Sequence, residues 1–404
     1  MGAVIAKPLT EDQLLTMARV VSGAFYSDPS PRQQELEIAE YDPARTHGLF
    51  DGGTMIGGGT MLARELTVPG TGPVPVAAVT TVGVAPDQRR RGGLTALMRA
   101  QLDDLHEGGH EPIAALWASE AGIYGRFGYG LASRRGWFVV PHGTALRRDL
   151  DDGGRRVRLV DPVADGAELR AVHDRYARTR IGGLSRPDST WDLLLHDPEG
   201  DRGGASARRY VMVDDGYASF RVRHSWERHG PEHPVHVWEL AALSPGAHAA
   251  LWRFLVGLDQ GGEVTYGNAA VDDPLPWMLE NPRHASMDLI DALYVRLVDV
   301  DRALATRGYA APLDVVIEIA DPLCPWNAGR RRGSAAAAGV VVAATTDPAD
   351  LACDVTALGA AYLGSTRLTT LAAAGRVTEL RRGALTAASR AFAADHEPHC
   401  LLVF

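Results

Sequence analysis

Residues 79–101 of this chain are VTTVGVAPDQRRRGGLTALMRAQ, and this stretch decides the fold. Its first residues are apolar and β-branched and predict a buried strand that stops at Pro86, whereas residues 94–105 have apolar side chains at helical spacing. The turn between them carries three arginines followed by two glycines. Because amide groups at a helix N-terminus bind anions, this turn predicts a phosphate site, with a pyrophosphate as the natural ligand. Taken alone, the arginine cluster also fits a solvated surface or an RNA contact.

The surrounding sequence supplies further strands and helices. Residues 10–24 have helical spacing, with Thr10 as N-cap and Gln13 at the capping-box position. Residues 47–50 and 54–66 predict two strands joined by a tight turn at Asp51, Gly52 and Gly53. A further strand is predicted over residues 113–118, followed by a short helix or turn. This order of elements predicts a mixed α/β or α+β domain.

Length and composition set outer limits on the function. At about 150 residues per domain, the 404 residues correspond to roughly 2.7 domains. A formal net charge of -9 argues against a nucleic-acid backbone as partner and fits a cationic or neutral small molecule. The cysteines at 324, 353 and 400 lack zinc-site spacing, so we expect no metal and reduced thiols in a cytoplasmic protein. We expect no signal peptide and no membrane association, because apolar runs are short and the N-terminal stretch soon turns polar.

Composition breaks divide the chain into three regions, 1–150, 151–298 and 299–404. Residues 141–156 predict a linker, and a strand ends near residues 299–301 where a short helix begins. In the third region, residues 329–335 predict a hairpin turn and residues 335–345 a core strand. Residues 237–258 repeat the strand, turn and helix of 79–105 without the arginines and glycines. This echo predicts a duplicated second domain that does not bind the anion.

Two motifs resemble a known superfamily. Val82-x-Val84-x-Pro86-x-x-Arg89-x-x-Gly92 is similar to the acetyl-CoA motif of the GCN5-related N-acetyltransferases (GNAT), and IYGRFGY at 123–129 is similar to their tyrosine motif. More narrowly, the chain resembles the enhanced intracellular survival family of aminoglycoside acetyltransferases. The matching segments are RRRGGL at 89–94, ALWASEAGIYGRFGYG at 115–130, DPLCPWNAG at 321–329 and AAYLGSTRLTTLAAAGRV at 360–377. Leu94 stands where the general motif has a small residue, which the narrower family tolerates.

Acetyl transfer needs a polarised carbonyl, a proton for the leaving thiolate and a neutral amine. Backbone amides of 82–84 suit the carbonyl, and Tyr124 is the candidate acid, with Tyr129 as its competitor and a buried structural aromatic as the alternative for either. From the motifs and the resemblance, the residues expected to bind acetyl-CoA are Val82, Gly83, Val84, Arg89, Arg90, Arg91, Gly92, Gly93, Leu94, Thr95, Ser119 and Glu120.

The base comes from the resemblance alone. In that family it is the α-carboxylate of the C-terminal phenylalanine, here Phe404, although residues 401–404 also fit a closing core strand. An α-carboxylate has an ordinary pKa of about 3.5, so it is a poor base unless it acts through water or the site raises its pKa, and its main role is expected to be electrostatic. Val403 stands where an acid would strengthen a polycation site, and Asp28 is a candidate substrate contact.

The resemblance predicts tandem GNAT-like mixed-sheet domains followed by a sterol-carrier-like α+β domain. It implies direct acetyl transfer from acetyl-CoA to a primary amine of a small cation, of aminoglycoside or polyamine type, by a homo-oligomer that is a hexamer in that family. Two alternatives remain open: a lipid-binding protein, and a regulatory protein with a vestigial acetyltransferase site.

Overall fold

A computed structural model describes residues 4–228, 230–337 and 339–404. The first region is a mixed α/β unit, as the spacing predicts. Its elements are β1 (Ile5–Pro8), α1 (Glu11–Ala24), α2 (Pro31–Ile38), β2 (Thr46–Asp51), β3 (Thr54–Val68), β4 (Gly72–Val84), α3 (Gly93–Gly108), β5 (Ile113–Trp117), α4 (Ala121–Tyr124), β6 (Gly130–Leu131) and β7 (Arg134–Val140).

Local sequence rules account for several of these boundaries. The backbone amide of Thr10 donates to the side chain of Gln13 at the start of α1, at 3.2 Å. Gly52 and Gly53 both have positive φ and close the predicted turn between β2 and β3. The linker over residues 141–156 has no helix or strand, only an isolated bridge from Leu146 to Leu279. The cap and the turn are confirmed, whereas the role of residues 141–156 as a linker between domains remains a prediction.

The second region repeats the architecture, with the predicted strand, turn and helix at β13 and α7. Its elements are β8 (Arg158–Val160), α5 (Gly166–Thr179), α6 (Asp188–Leu195), β9 (Arg209–Val213), β10 (Gly216–Val222), β11 (Trp226–Glu227), β12 (Gly230–Pro231), β13 (His233–Ala242), α7 (Pro245–Val256), β14 (Gly261–Ala269), α8 (Leu275–Met278), β15 (Ser286–Asp291) and β16 (Leu293–Leu297).

The third region is an α+β unit with one five-stranded sheet. Its elements are α9 (Val300–Thr306), β17 (Leu313–Ala320), β18 (Gly329–Ala336), β19 (Gly339–Ala344), β20 (Leu351–Asp354), α10 (Val355–Ala361), α11 (Leu368–Ala373), β21 (Val377–Glu379) and α12 (Ala384–Phe392).

Two sequence predictions for this region are wrong. Residues 329–335 form the strand β18 rather than a hairpin turn, and each of its three arginines pairs with an acidic side chain, as Arg332 does with Asp314 and Asp347. Residues 335–345 span the end of β18 and the edge strand β19 rather than one core strand. Val341 on that edge is 64% exposed, so apolar composition alone overestimated its burial.

The two large sheets exchange strands. The first sheet has the order β1-β2-β3-β4-β5-β16-β6, and the second has the order β15-β7-β14-β13-β10-β9-β8. Strand β7 therefore leaves the first region to pair with β14 and β15, and β16 returns to pair with β5 and β6. The domain division at residue 150 remains a prediction, and the hydrogen-bonded sheets cross it in both directions.

A buried ion pair joins the third region to the first sheet. Arg296 on β16 donates to Asp321 at 2.6 Å, and both side chains are almost completely buried. Asp321 also accepts from the Asn327 side chain at 3.0 Å and from the Cys324 amide at 3.1 Å. The DPLCPWN segment therefore has a structural role, which its sequence alone did not reveal.

No helix in the described ranges combines the length and apolarity that a membrane crossing needs.

We predict that Asp321→Ala strongly destabilises the protein. Removing one partner of a buried pair leaves the Arg296 charge uncompensated, which costs about 3–5 kcal/mol of unfolding free energy. Asp314→Ala is the matched control, because its pair with Arg332 lies on the surface and contributes about 1 kcal/mol or less. Urea unfolding followed by circular dichroism measures both, and equal losses in the two variants would contradict the assignment.

Candidate active site

The first cleft opens where β4 and β5 separate. The two strands run parallel and pair only from Val76 with Ile113 to Ala78 with Ala115. Beyond this point the edge of β4 that faces β5 has no strand partner. Buried backbone groups need hydrogen-bond partners, so this edge suits an extended polar ligand. The resulting cleft has a volume of about 600 Å³.

A bulge in β4 shapes the wall of this cleft. Opposite β3, Gly83 pairs with Gly58 and Thr80 with Thr60, so β4 contains one extra residue between these pairs. Thr81 has a φ of 54°, in the left-handed region, and its hydroxyl lies 2.9 Å from the Tyr41 hydroxyl. Bulges bend a strand and redirect its amide groups, and they are common beside active sites. Here the bulge turns β4 away from β5.

The arginine and glycine turn closes one end of the cleft. Gly92 has a φ of 83° and is the N-cap of α3, a backbone conformation that a side chain would strain. The first amides of α3 have no acceptor within the helix and point their donors outward. Arg89 is tied to the carbonyl of Ala24 at 3.0 Å, and Arg90 makes no ion pair with the residues that the structure describes. The turn is thus a positively charged site with free amide donors.

Most residues expected to bind acetyl-CoA do line this cleft. Those found there are Val82, Gly83, Val84, Arg89, Arg90, Gly92, Gly93, Leu94, Thr95, Ser119 and Glu120. Arg91 is the exception, since its guanidinium binds Asp51 at 2.8 Å and also contacts Gln88. Its contact with β2 depends on a residue 40 positions away, which the local pattern did not reveal.

The structure separates the two candidate tyrosines. Tyr124 lines the cleft, whereas Tyr129 packs edge-on behind it, with ring centroids 6.0 Å apart. Burial, assisted by the charge of Glu120, raises the pKa of Tyr124 above its ordinary value. Its hydroxyl therefore keeps its proton at neutral pH, as a proton donor must. Tyr129 is almost completely buried among Tyr124, Arg296 and Cys324.

The C-terminal tail, residues 396–404, runs between the two domains. Asn268 on β14 donates its side-chain amide to the carbonyls of Cys400 and Leu401, at 3.1 and 3.3 Å. Trp117, the last residue of β5, donates to the carbonyl of Leu402 at 3.0 Å. Phe404 is half-buried and packs against the hydrophobic cluster to which Trp117 also belongs. The second domain thus holds the tail, and its last residues lie at the end of β5.

His399 anchors the start of the tail. One ring nitrogen contacts the Tyr176 hydroxyl at 2.7 Å, and the other contacts the Asn268 carbonyl at 2.8 Å. That carbonyl lies beyond the last pair of β13 with β14, Val237 with Tyr266. The strands β13 and β14 therefore separate as β4 and β5 do, and the protein's own tail fills part of the opening between them.

The start of α7 in the second domain differs from the start of α3, and the absence of an anion site there remains a prediction. At the start of α7 the Ser244 hydroxyl accepts from the Ala247 amide, and the Arg155 side chain covers Gly246. Asp273 is buried beside this helix and binds His248 at 3.0 Å. A carboxylate and a capped helix end disfavour a phosphate there.

The candidate substrate contact Asp28 does not line the cleft. It is exposed on the loop after α1, three residues beyond Phe25, which does line the cleft. No group of three metal-ligating side chains occurs in the part of the chain that the structure describes.

Sequence reasoning missed several residues of the site. Phe25, Gln88, Ile123 and Arg126 also line the cleft. Ile123 and Arg126 fall within the tyrosine motif, and Gln88 lies within the acetyl-CoA motif, so the sequence could have indicated these three. It could not have indicated Trp117 and Asn268, because each contacts a residue more than 130 positions away.

Comparison with known proteins identifies the class. Residues 6–132 and 182–297 each match a family described as Acetyltransferase (GNAT) domain, and residues 300–401 match a Sterol carrier protein domain. An uncharacterized N-acetyltransferase of Streptomyces avermitilis is 43% identical over 373 residues, 88% of each chain. With this fold and cleft, the chain is a GNAT N-acetyltransferase.

Two further relatives define the family. The N-acetyltransferase Eis of Mycobacterium tuberculosis is 36% identical over 363 residues, 86% of this chain and 85% of that protein. The crystal structure of Eis1 from Mycobacterium abscessus superimposes with a TM-score of 0.86 at 33% identity, covering 99% of this chain and 100% of that one. The chain belongs to the Eis family of N-acetyltransferases, and its GNAT domain implies that it uses acetyl-CoA.

We predict that acid destabilises the protein in part through His399. Burial lowers the pKa of His399 from 6.5 to about 4, so its ring stays neutral in the folded state while the unfolded chain takes up a proton below about pH 6.5. This histidine alone lowers the unfolding free energy by up to about 3 kcal/mol between pH 6.5 and pH 4.

The measurement is the slope of unfolding free energy against pH. We expect His399→Gln to flatten this slope between pH 6.5 and 4.5, while His396→Gln, at an exposed position of the same tail, keeps it. Unchanged slopes in both variants would contradict the role of His399.

Proposed function

We propose that this enzyme transfers acetyl from acetyl-CoA to a primary amine of a small cationic acceptor, by direct attack in a ternary complex. The observation that carries the proposal is the first cleft, where a positive turn, a strand edge without a partner and Tyr124 occur together. The similarity to Eis proteins favours an acceptor of aminoglycoside or polyamine type. The net charge of -9 is consistent with attraction of an amine cation.

The cleft offers a matching group for each part of acetyl-CoA. The amides of Gly93, Leu94 and Thr95, with Arg89 and Arg90, suit the pyrophosphate. The edge amides of 82–84 suit the pantetheine chain and the thioester carbonyl, whose oxygen gains negative charge during attack. Ser119 and Glu120 border the opposite wall.

The reaction forms one bond and breaks another at the acetyl carbon. The amine nitrogen bonds to the carbonyl carbon, and the bond between that carbon and sulfur then breaks. Tyr124 donates its proton to the departing thiolate, a role that its place in the cleft supports. The attacking nitrogen loses a proton, and the Tyr124 phenolate regains one from water.

We assign the acceptance of the amine proton, directly or through water, to the α-carboxylate of Phe404. The hydrogen bonds of Asn268 and Trp117 to the tail support this role, because they fix the backbone up to two residues before Phe404.

Asp28 remains a candidate substrate contact on the loop beyond Phe25. By the same family similarity, we expect a homo-oligomer, a hexamer, in the cytoplasm; its three free cysteines are consistent with a reducing compartment.

We predict that Tyr124→Phe lowers kcat by about 10² to 10⁴ with little change in the Kd for coenzyme A, because general acid catalysis contributes about that factor. Thiol release from acetyl-CoA is measured against a panel of aminoglycosides and polyamines. Tyr129→Phe is the control and keeps most of the wild-type rate, since that ring lies behind the cleft. If no amine raises thiol release above background while an apolar ligand binds the third domain, the transferase proposal fails.

We also predict that deleting Phe404 lowers kcat at least about 100-fold while coenzyme A still binds, because the carboxylate moves back by one residue. Phe404→Leu is the matched control, since it keeps the carboxylate in place, and it retains most of the activity. A deletion variant that turns over at the wild-type rate would show that this carboxylate has no part in the reaction.

A further inference from the structure

Thr81, in the bulge of β4, has a backbone conformation that its own side chain disfavours. Its φ of 54° lies in the left-handed region, which glycine adopts freely but a β-branched residue adopts rarely and at a cost in free energy. Such a conformation persists only where neighbouring groups hold it. The next three residues, 82–84, carry the amides that suit the thioester carbonyl and the pantetheine chain. Whatever holds Thr81 therefore controls where those amides point.

The part of β3 that lies opposite the bulge has no side chain with which to hold it. The residues there are three consecutive glycines, 57–59. A Cβ atom on Gly57 would clash with the Gly83 carbonyl, and one on Gly59 would lie 2.9 Å from the Cγ2 atom of Val82. The glycines let the two strands approach closely, but they cannot donate or accept a side-chain hydrogen bond. A different element has to hold the bulge.

That element is the loop between α2 and β2. The Tyr41 hydroxyl of this loop lies 2.9 Å from the Thr81 hydroxyl, and either group can be the donor. Burial raises the pKa of Tyr41, so its hydroxyl keeps its proton at neutral pH. Neither Tyr41 nor Thr81 is among the residues that line the first cleft. The pair therefore lies behind the wall of the cleft rather than in it.

Glu40 fixes the loop next to Tyr41. Its buried side chain accepts hydrogen bonds from Arg64 on β3 at 2.8 Å and from Ser189 near the start of α6 at 3.1 Å. Thr190, also in α6, donates to the same oxygen atom. The first sheet and the second domain thus both hold the residue that precedes Tyr41. A tyrosine fixed in this way can impose one conformation on its partner.

From these observations we propose that Tyr41 is a positioning residue for acetyl transfer. Its hydroxyl holds Thr81 in the left-handed conformation, and this conformation aims the amides that follow at the oxygen of the acetyl carbonyl. That oxygen gains negative charge when the amine attacks, so a donor already aimed at it lowers the barrier. The inference rests on the proposed function, to which it adds a residue outside the cleft.

The test combines removal of the Tyr41 hydroxyl with removal of the backbone strain. We expect Tyr41→Phe to lower kcat about 10-fold, which is less than the factor of about 10² to 10³ that complete loss of such a donor costs. The Kd for coenzyme A, which has no acetyl carbonyl, stays within about two-fold and shows that the variant is folded. In a Thr81→Gly background the same Tyr41→Phe change lowers kcat less than about two-fold, because glycine adopts the left-handed conformation without a partner.

Tyr309→Phe is the matched control. It also removes a tyrosine hydroxyl that makes a 2.9 Å hydrogen bond, in this case to the Leu304 carbonyl in the third region. We expect its kcat to stay within about two-fold of the wild-type value.

Infrared spectroscopy of bound acetyl-CoA, labelled with ¹³C at the acetyl carbonyl, tests the amides without an acceptor amine. A hydrogen bond to the carbonyl oxygen lowers its stretching frequency, so we expect the wild-type enzyme to shift the band below that of free acetyl-CoA. Tyr41→Phe loses most of this shift, and the loss disappears in the Thr81→Gly background. Tyr309→Phe keeps the full shift.

The outcomes separate this inference from the proposed function. An unchanged kcat or an unchanged carbonyl band in Tyr41→Phe overturns the inference, and so does an equal loss of kcat in both backgrounds, while acetylation of amines by the wild-type enzyme leaves the proposed function standing. If the carbonyl band depends on Tyr41 but no amine releases thiol from the wild-type enzyme, Tyr41 still holds the bulge and the proposed function fails.

Discussion

The structure depends on one constraint, which is that parallel strands that separate leave backbone groups without partners. In both large sheets a parallel pair ends after a few residues, at Ala78 with Ala115 and at Val237 with Tyr266. Buried amides and carbonyls cannot stay unpaired at low cost, so each opening needs an occupant. The first domain leaves its opening to a ligand, whereas the second fills part of its own with the tail. Two copies of one architecture thus acquire different roles, one as a cleft and the other as a clamp.

This difference follows from a few side chains. In the first domain the turn before α3 offers glycines and arginines, and in the second a serine cap, a covering arginine and Asp273 occupy the corresponding place. Strand pairing is then replaced by side-chain hydrogen bonds: Asn268 donates to the tail backbone, and the His399 ring of the tail contacts the Asn268 carbonyl. Because Trp117 binds the same tail from the first domain, a contact made in the second domain positions atoms near the first cleft.

Features that depend on neighbouring residues were predictable from the sequence. The cap of α1, the glycine turn after β2 and the turn before α3 follow from rules that act over a few residues, and the structure has all three. Contacts across long separations were not predictable. Arg91 belongs to a conspicuous cluster but binds Asp51. The apolar run at 339–344 is an exposed edge strand, and nothing in its composition indicates that it is the last strand of a sheet. The roles of Trp117 and Asn268 depend on where the tail passes.

The exchange of β7 and β16 has a consequence for synthesis on the ribosome. The first sheet gains β16, which lies between β5 and β6, only when residues 293–297 have emerged, more than 160 residues after β6. Until then the exposed edge of β5 is open to wrong partners, and closing so long a loop is slow. Neither of the two large sheets can therefore be completed long before the other. The first cleft is complete only after most of the chain has been translated.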